Sequence, residues 1–348
     1  MSIVCTSGLG WLISHFDYIS MVYQYIPMGK GIKFKKELFQ INVPYIRKNG
    51  KRKGIDSSEW KKPVINDEEV LWIKNVYDNL FDEFKFHFSP DSDKVNNNTC
   101  ALEMSAKIYE QTNNLAVINA EGANVGPNIY REVCDSIYIF PQNCEFFCRN
   151  TKDLSKYIPA KKFDLILLDP PWWNKYIRRK RKRSNHAYEM MYNDDLKDLK
   201  LENLLHEDSL VVVWCTNSPQ HINALKDEIF PKWGIEFISK WYWLKVTKTG
   251  EPICNFSEPP CKQPFEQIIF GSKKNRRIES PPNGKLVLSI PSALHSHKPP
   301  LVELLKLYMP KTPQCLEIFA RYLLPGWSSY GNEVLKFQHE SLYEEGED

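Results

Sequence analysis

The sequence lacks any apolar run that is long enough to cross a membrane. A membrane-spanning helix needs roughly 20 consecutive apolar residues, whereas the apolar stretches in these 348 residues are strand-sized. The first 20 residues are apolar, but they contain no basic segment and include His15 and Asp17, which is not typical of a secretory signal. We therefore expect neither a membrane-spanning segment nor a secretory leader.

Metal-ligand and disulfide patterns are also missing. The chain has nine cysteines but no CxxC pair, and the cysteines at 144 and 148 have no second pair at the spacing of a zinc finger. His295 and His297 have no carboxylate or third histidine at ligand spacing. Free thiols in a reducing compartment, and no bound metal, are therefore predicted.

The net charge is small, yet one segment is strongly basic. Lys and Arg total 46 against 43 Asp and Glu, a net charge of +3, which excludes a histone-like polycation. Arg178 to Arg183 are six consecutive basic residues, and such a run neutralises nucleic-acid phosphates or acts as a nuclear localisation signal. A solvated loop with neither role is the alternative. Basic residues at 273–274 and 276–277 are expected to extend the same surface.

The texture of the sequence changes at about residue 150. Residues 1–150 mix short elements with polar breaks, and we expect a mixed α/β accessory region that includes a helix at 66–86, capped by Asn66. Residues 151–337 alternate apolar runs with helical patterns and are expected to form the main domain. Residues 338–348 are predicted to be an acidic tail.

The main domain reads as an α/β fold. Its predicted strands are FDLILL, SLVVVW, FISKWYWLKV, PFEQIIFG, KLVLSI and CLEIF, with helices expected at 193–205, 218–230 and 300–309. Uninterrupted aliphatic residues in the first two strands indicate burial on both faces. This alternation predicts a largely parallel, doubly wound sheet, in which ligands bind beyond the carboxyl ends of the strands.

The first of these strands runs directly into Asp169-Pro170-Pro171-Trp172-Trp173. Consecutive prolines fix their own φ angles and restrict the preceding residues, so the Asp169 carboxylate and the Pro170 carbonyl are held at a set spacing. Both groups accept hydrogen bonds and match the two hydrogens of an exocyclic amine such as adenine N6, while Trp172 or Trp173 can stack on the base. The alternative is a proline-kinked strand end with aromatic core residues.

The strand with its DPPW motif, FDLILLDPPW, resembles the mRNA adenosine (adenine-N6) methyltransferase family, which is named for its seventy-kilodalton founding subunit. The resemblance extends over about residues 147–337, and the DPPWW form with KQPFEQIIFG resembles one subgroup in particular. The other matching features are Tyr188, Asn193-Asp194-Asp195, WYWLKV, SHKP at 296–299, EIFAR at 317–321 and Gly331-Asn332.

The resemblance implies a Rossmann-like methyltransferase fold with permuted motif order and S-adenosylmethionine as the methyl donor. It implies that Asp169 and Lys298 approach the amino-acid moiety of the donor and that Arg321 and Asn332 approach its ribose. Glu333 replaces a frequent Gln of the family, and its carboxylate can accept hydrogen bonds from ribose hydroxyls. No GxGxxG motif is needed, and none is present.

The implied reaction transfers a methyl group to adenine N6 of an unstacked nucleotide. RNA is the expected partner, including small nuclear RNA whose target adenosine already carries a 2′-O-methyl group. DNA, or a noncatalytic nucleic-acid-binding role, is the alternative.

We expect nuclear localisation, with the cytosol as a second location, and no membrane, metal or obligate protein partner. The predicted catalytic residues are Asp169, Pro170, Pro171 and Trp172, and the predicted substrate contacts are Trp172, Trp173, Lys175, Arg178, Arg179, Arg181, Arg183 and Tyr188.

Overall fold

The computed structural model describes residues 2–26, 31–45, 65–89, 98–113, 119–158, 161–173 and 190–345. The strands are β1 (Ile3–Ser7), β2 (Gly10–Ile13), β3 (Ile32–Phe34), β4 (Ala120–Asn124), β5 (Ile129–Val133), β6 (Ser136–Phe140), β7 (Cys144–Cys148), β8 (Phe163–Leu168), β9 (Leu205–Cys215), β10 (Glu236–Lys245), β11 (Phe265–Ser272), β12 (Lys285–Ser289), β13 (Cys315–Ile318), β14 (Trp327–Tyr330) and β15 (Tyr343–Glu345).

The α-helices in this part of the chain are short, apart from two in the N-terminal region. They are α1 (His15–Tyr23), α2 (Glu68–Phe84), α3 (Asn98–Asn113), α4 (Leu154–Tyr157), α5 (Asn193–Lys197), α6 (Pro219–Ala224), α7 (Phe230–Lys232) and α8 (Val302–Leu305). Among the described residues, no helix combines the length and the apolarity that crossing a membrane requires.

Eleven strands form one sheet in the order β1-β2-β12-β10-β11-β9-β8-β13-β14-β7-β4. The strands β9, β8, β13, β14 and β7 run parallel to one another, and β10, β12 and β2 form a second parallel group. The strand β11 is antiparallel between β9 and β10. The predicted α/β class and the largely parallel sheet are therefore confirmed. Two further strand pairs, β3 with β15 and β5 with β6, lie outside this sheet.

Both faces of the sheet are buried, as the aliphatic runs predicted. Leu165 and Leu167 of β8 belong to a core cluster that includes side chains of α1 and α8. Ile166 and Leu168 belong to a second cluster on the opposite face, with side chains of α5. Because successive strand residues point to opposite faces, an uninterrupted run of leucines and isoleucines fills both layers at once.

The N-terminal residues contribute directly to this sheet. The strand β2 pairs with β12, and β4 and β7 extend the other edge beyond β14. The segment after β3 also reaches the main domain, since the amide of Ala293 donates to the Leu38 carbonyl at 2.7 Å. Strands from both sides of residue 150 thus share one sheet, and the division into an accessory region and a main domain stays a prediction.

The predicted helix at 66–86 begins and ends slightly differently in the structure. It spans Glu68–Phe84 and continues as a 3-10 turn at Lys85–His87. The cap is Asp67 and not Asn66, because the Asp67 carboxylate accepts a hydrogen bond from the amide of Val70 at 2.9 Å. The apolar stripe of this helix is buried against the strands β10 and β12.

The other predicted helices are broken into shorter pieces. The helix expected at 193–205 ends at Lys197 and is followed by a 3-10 turn, and Leu205 already begins β9. The one expected at 218–230 contains a π-helical turn at Leu225–Ile229, next to Pro231, which has no amide hydrogen for a regular helical bond. The one expected at 300–309 is α8 with a 3-10 turn.

Residues 338–345 are folded against the core. Gln338, Leu342 and Tyr343 are buried, and β15 pairs with β3. The predicted acidic tail therefore begins with core-forming residues.

Candidate active site

The predicted catalytic turn, residues 169–173, lies at the carboxyl edge of the parallel strands. Asp169 directly follows β8, and its amide donates to the carbonyl of Ile318, the last residue of β13, at 3.3 Å. Its side chain is buried, with 8% of the residue exposed. Parallel neighbours end at the same edge of a sheet, so residues after β8, β9 and β13 converge there, where such folds bind ligands.

Two cations hold the Asp169 carboxylate. Arg321 Nη1 lies 2.7 Å from Asp169 Oδ2, and Lys298 Nζ lies 3.6 Å from Asp169 Oδ1. Lys298 also donates to Glu266 Oε2 at 2.6 Å. Buried charges are stable only when they are paired, so these four side chains form one interdependent network. The structure thus brings together three predicted site residues and adds Glu266.

The network keeps Lys298 and Glu266 charged at neutral pH. Burial alone would lower the pKa of Lys298, but the carboxylates of Asp169 and Glu266 outweigh it and raise that pKa. Burial alone would raise the pKa of Glu266, but Lys245 and Lys298 outweigh it and lower that pKa well below its ordinary range. The sequence showed Glu266 within KQPFEQIIFG without indicating this role.

Arg321 links Asp169 to the next acidic residue. Its Nε donates to Glu333 Oε2 at 3.0 Å, and Lys336 Nζ donates to Glu333 Oε1 at 2.5 Å. Burial would raise the pKa of Glu333, but Lys336 and Arg321 outweigh it and lower that pKa. Glu333 is therefore an anion at neutral pH, and each of its oxygens retains a free lone pair for a further donor.

An open pocket of about 720 Å³ adjoins this network. Gly331 allows its wall to form, because a Cβ atom there would lie 3.2 Å from both Phe319 Cα and the Ala320 nitrogen. The structure thus brings the predicted residues Pro171, Arg321, Asn332 and Glu333 to one cavity. The lining residues are Asn150, Thr151, Lys152, Pro171, Met190, Met191, Asp195, Phe319, Ala320, Arg321, Asn332 and Glu333.

The two tryptophans of the catalytic turn have different surroundings. Trp172 is buried in the core, with 6% of the residue exposed, and its indole Nε1 donates to the Trp214 carbonyl at 2.8 Å. Trp173 is half-buried and lies beside Tyr192. Of the two rings, that of Trp173 is therefore the one accessible to a ligand in this conformation. The Pro170 carbonyl accepts the amide hydrogen of Trp172 at 2.8 Å.

A second buried carboxyl lies in β13, close to the site. Glu317 is 3% exposed, and its Oε2 has no hydrogen-bond partner within the described part of the chain. Burial, and then the charge of Asp169, raise the pKa of Glu317 to about 8. This carboxyl is therefore mainly protonated at neutral pH. The EIFAR segment contains it, but the sequence alone gave no sign of its protonation.

Several predicted substrate contacts lie outside the described residues. These are Lys175, Arg178, Arg179, Arg181, Arg183 and Tyr188, and their roles stay predictions.

The second basic segment lies away from Asp169. Ser272 at the end of β11 pairs with Leu210, whereas Gln267 of β11 pairs with Cys215 near the catalytic turn. Because β11 is antiparallel to β9, the residues after Ser272 lie at the opposite edge of the sheet from Asp169. Residues 273–277 therefore do not border Asp169, and a surface shared with residues 178–183, which lie outside the described residues, stays a prediction. Within the ranges that the structure describes, no group of three His, Cys, Asp or Glu side chains could hold a metal ion.

Comparison with known proteins gives a consistent result. Residues 163–333 match the MT-A70 family. The N(6)-adenine-specific methyltransferase METTL4 of Mus musculus is 39% identical over 213 residues, which are 58% of this chain and 44% of that protein. This chain thus matches less than half of the length of that relative.

Two further relatives differ in the nucleic acid that their names state. The DNA N6-methyl methyltransferase of Caenorhabditis elegans is 35% identical over 222 residues, 62% of this chain and 58% of that protein. The N6-methyladenosine RNA methyltransferase MTA1 of Pyricularia oryzae is 35% identical over 192 residues, 52% of this chain and 50% of that protein.

The matched segment contains the catalytic turn, the SHKP and EIFAR segments and Asn332, which carried the family resemblance in the sequence. The DPPWW form and KQPFEQIIFG indicated the methyltransferase-like-four subgroup, and the METTL4 relative confirms that resemblance. Residues 163–333 therefore match the MT-A70 family, and the chain resembles the adenine-N6 methyltransferases of that family, METTL4 among them.

Proposed function

We propose that this protein is an S-adenosylmethionine-dependent methyltransferase that methylates adenine N6 in RNA, including small nuclear RNA whose target adenosine is 2′-O-methylated. The observation that carries the proposal is the intact catalytic turn, with Asp169 buried at the carboxyl edge of the sheet and paired with Arg321 and Lys298. A noncatalytic binding protein would not need a buried carboxylate held in this way.

The residues around the pocket fit the methyl donor. Asp169 and Lys298 supply a buried anion and a buried cation, which match the ammonium and carboxylate of an amino-acid moiety. Asn332 and Glu333 line the cavity with donor and acceptor groups suited to ribose hydroxyls. When bound, S-adenosylmethionine supplies an electrophilic methyl group on a sulfonium sulfur.

The catalytic turn can orient the substrate amine. Each Asp169 oxygen faces one cation and keeps a lone pair, and the Pro170 carbonyl oxygen keeps one beyond its bond to the Trp172 amide. These two acceptors would each accept a hydrogen bond from one of the two hydrogens on adenine N6. Such bonds favour a more tetrahedral nitrogen, whose lone pair is less delocalised into the ring, and so stabilise the transition state more than the ground state.

The adenine must leave the base stack to reach this turn, so an unpaired RNA position or a flipped nucleotide is the expected substrate. The name of the Pyricularia relative supports RNA. DNA adenine is a second candidate, which the name of the Caenorhabditis relative favours. The basic run at 178–183 supports a nucleic-acid substrate and nuclear localisation.

The test is methylation of three oligonucleotides of the same sequence, made of RNA, of RNA with a 2′-O-methyl group on the target adenosine, and of DNA. Nucleoside mass spectrometry of the digested products identifies the methylated base. We expect N6-methyladenine formation to be fastest on one of the two RNA substrates. Faster methylation of the DNA would establish the second candidate, and methylation of none would refute the proposed function.

A further inference from the structure

One side of the catalytic turn presents two aromatic rings that the proposed reaction at N6 does not use. Trp173 is half-buried, and Tyr192 is 61% exposed. Their ring centroids are 6.3 Å apart, and their planes are inclined by 23°. Exposed, nearly parallel aromatic faces are suited to stacking on nucleobases, and this stacking tolerates any base because every base has a π-face.

Hydrogen bonds fix the two backbone segments that carry the rings relative to each other. The amide of Met191 donates to the Pro171 carbonyl at 2.8 Å, and the amide of Trp173 donates to the Met191 carbonyl at 3.1 Å. The Tyr192 amide donates to Asp195 Oδ2 at 3.1 Å, at the start of α5. The backbone of both residues is therefore held beside the catalytic turn before any ligand binds, so binding does not have to order it.

A buried histidine joins the same two segments from the core side. His221 is 6% exposed, and its Nε2 donates to the Trp173 carbonyl at 2.9 Å. Its Nδ1 lies 2.8 Å from Oδ1 of Asn193, the residue after Tyr192. The ring of His221 also lies 5.0 Å from that of Trp172, centroid to centroid. His221 is thus a positioning residue for the Trp173 backbone.

We propose that Trp173 and Tyr192 form a stacking subsite for the nucleobase adjacent to the target adenine. This inference rests on the proposed function, because only a nucleic-acid chain supplies a neighbouring base. The rings lie next to the turn that holds Asp169, Trp173 is half-buried and Tyr192 is exposed, and their backbone is fixed from two sides. The chemistry recognised is the flat face of a base, so the subsite favours no particular sequence.

The experiment compares oligonucleotides that have a normal base or an abasic sugar on the 5′ or 3′ side of the target adenine. Wild type, Trp173→Ala, Trp173→Phe and Tyr192→Ala are assayed for methylation and, by fluorescence anisotropy, for affinity. Tyr25→Ala is the matched control, since Tyr25 is 72% exposed and follows α1, away from the catalytic turn. Calorimetric affinity for the methyl donor checks that each variant is folded.

With normal neighbours, we expect Trp173→Ala and Tyr192→Ala to weaken oligonucleotide affinity about tenfold, with Trp173→Phe and Tyr25→Ala close to wild type. An abasic sugar at one of the two neighbouring positions should lower the affinity of wild type about tenfold as well. The affinity of the alanine variants should be the same for this oligonucleotide as for the one with normal neighbours. Losses that do not depend on the neighbouring base would overturn the subsite, as would unchanged affinity in both alanine variants.

These outcomes are separate from a failure of the proposed function. If wild type methylates no oligonucleotide, the proposed function fails, but the anisotropy measurements still decide the subsite. If wild type methylates adenine and the neighbouring base makes no difference to the variants, the subsite fails and the proposed function stands.

Discussion

Asp169 has two tasks that a single carboxylate can combine. It is the acceptor expected to meet the substrate amine, and it is also the anion that holds Arg321 and Lys298 in place. The nearby carboxylates of Glu266 and Glu333 are charged, because each of them pairs with two cations. A substitution anywhere in this network should therefore change both ligand binding and local stability.

The first prediction separates the effect on ligand binding from the effect on stability, using two residues that are predicted to bind the methyl donor. Lys298→Ala removes a buried cation, and Asn332→Ala removes an exposed amide that lines the pocket. We expect both to weaken S-adenosylmethionine affinity, Asn332→Ala by about tenfold, which corresponds to about 1.4 kcal/mol. Isothermal calorimetry measures this effect.

Thermal unfolding is the control for that pair of variants. Lys298→Ala should also lower the melting temperature, because it leaves Glu266 and Asp169 with less compensating charge, whereas Asn332→Ala should not. Unchanged donor affinity in both variants would exclude these residues from the donor site.

The second prediction concerns the buried carboxyl of Glu317. Its pKa rises from 4.5 to about 8 on folding, so between these values the folded chain binds more protons than the unfolded chain. Its contribution to stability is therefore present below about pH 4.5 and is lost as the pH rises towards 8. The variant Glu317→Gln keeps the shape of the side chain but cannot ionise. Its stability should therefore not fall in this way as the pH rises.

The measurement is urea unfolding of wild type and Glu317→Gln at pH 5 and pH 8.5. Going from the lower to the higher pH, wild type should lose at least about 1 kcal/mol of unfolding free energy relative to the variant. An equal difference between the two proteins at both pH values would show that Glu317 has no raised pKa.

At the scale of secondary structure, the apolar content of a strand decided whether the sequence could predict it. The strand β8 was evident because five of its six residues are apolar and alternate between two buried layers. The strand β14 was not predicted, since two of its four residues are Ser328 and Ser329. The Ser328 hydroxyl is satisfied by donating to Glu145 Oε2 at 2.6 Å, and such a partner 183 positions away leaves no local signal in the sequence.

The same reasoning applies to the candidate site. Asp169, Lys298, Arg321 and Asn332 could be identified because they stand in short motifs that resemble a family. Glu266 could not, since its role depends on the antiparallel insertion of β11 beside β9. Local sequence does not encode the pairing of strands that are separated by some 50 residues, so partners across the sheet become known only from the fold.

The third prediction tests the basic run at 178–183 as an element. Replacing its six residues with serine should raise the substrate KM at least tenfold, flatten the dependence of affinity on salt and leave donor affinity unchanged. A nuclear localisation signal without contact to nucleic acid would change only the distribution in cells. Equal affinity and equal salt slope in the two purified proteins would show that the run does not bind substrate.

The loop at 273–277 supplies a matched control for that experiment. Lys273→Ser with Lys274→Ser also removes positive charge, but at the opposite edge of the sheet from Asp169. We expect no change in KM and little change in the salt slope. An effect as large as that of the first substitution would mean that net charge, and not the position of the charge, determines substrate affinity.

At the scale of the whole molecule, the sheet joins parts of the chain that the sequence presented as different. The strand β2 lies beside β12, and β4 and β7 complete the edge beyond β14, so residues before 150 flank the strands of the later part of the chain on both sides. The amide of Lys248 also donates to the Ile41 carbonyl at 2.8 Å. The loops after β10 and β12 therefore form hydrogen bonds with N-terminal residues. Because the loop after β12 leads to Lys298, the site depends on both parts of the chain.

The central claim is that this molecule methylates adenine N6 at the turn that contains Asp169. The most direct test is incubation of wild type and Asp169→Asn with an adenine-containing oligonucleotide and a donor whose methyl group is deuterated, followed by nucleoside mass spectrometry. The variant keeps the size of the side chain but loses its charge and one acceptor, and near-UV circular dichroism checks its fold. The account predicts deuterated N6-methyladenosine, or its 2′-O-methyl or deoxy form, with wild type and none with Asp169→Asn. Equal product with both proteins, or a deuterated methyl group on another atom of the base, would contradict it.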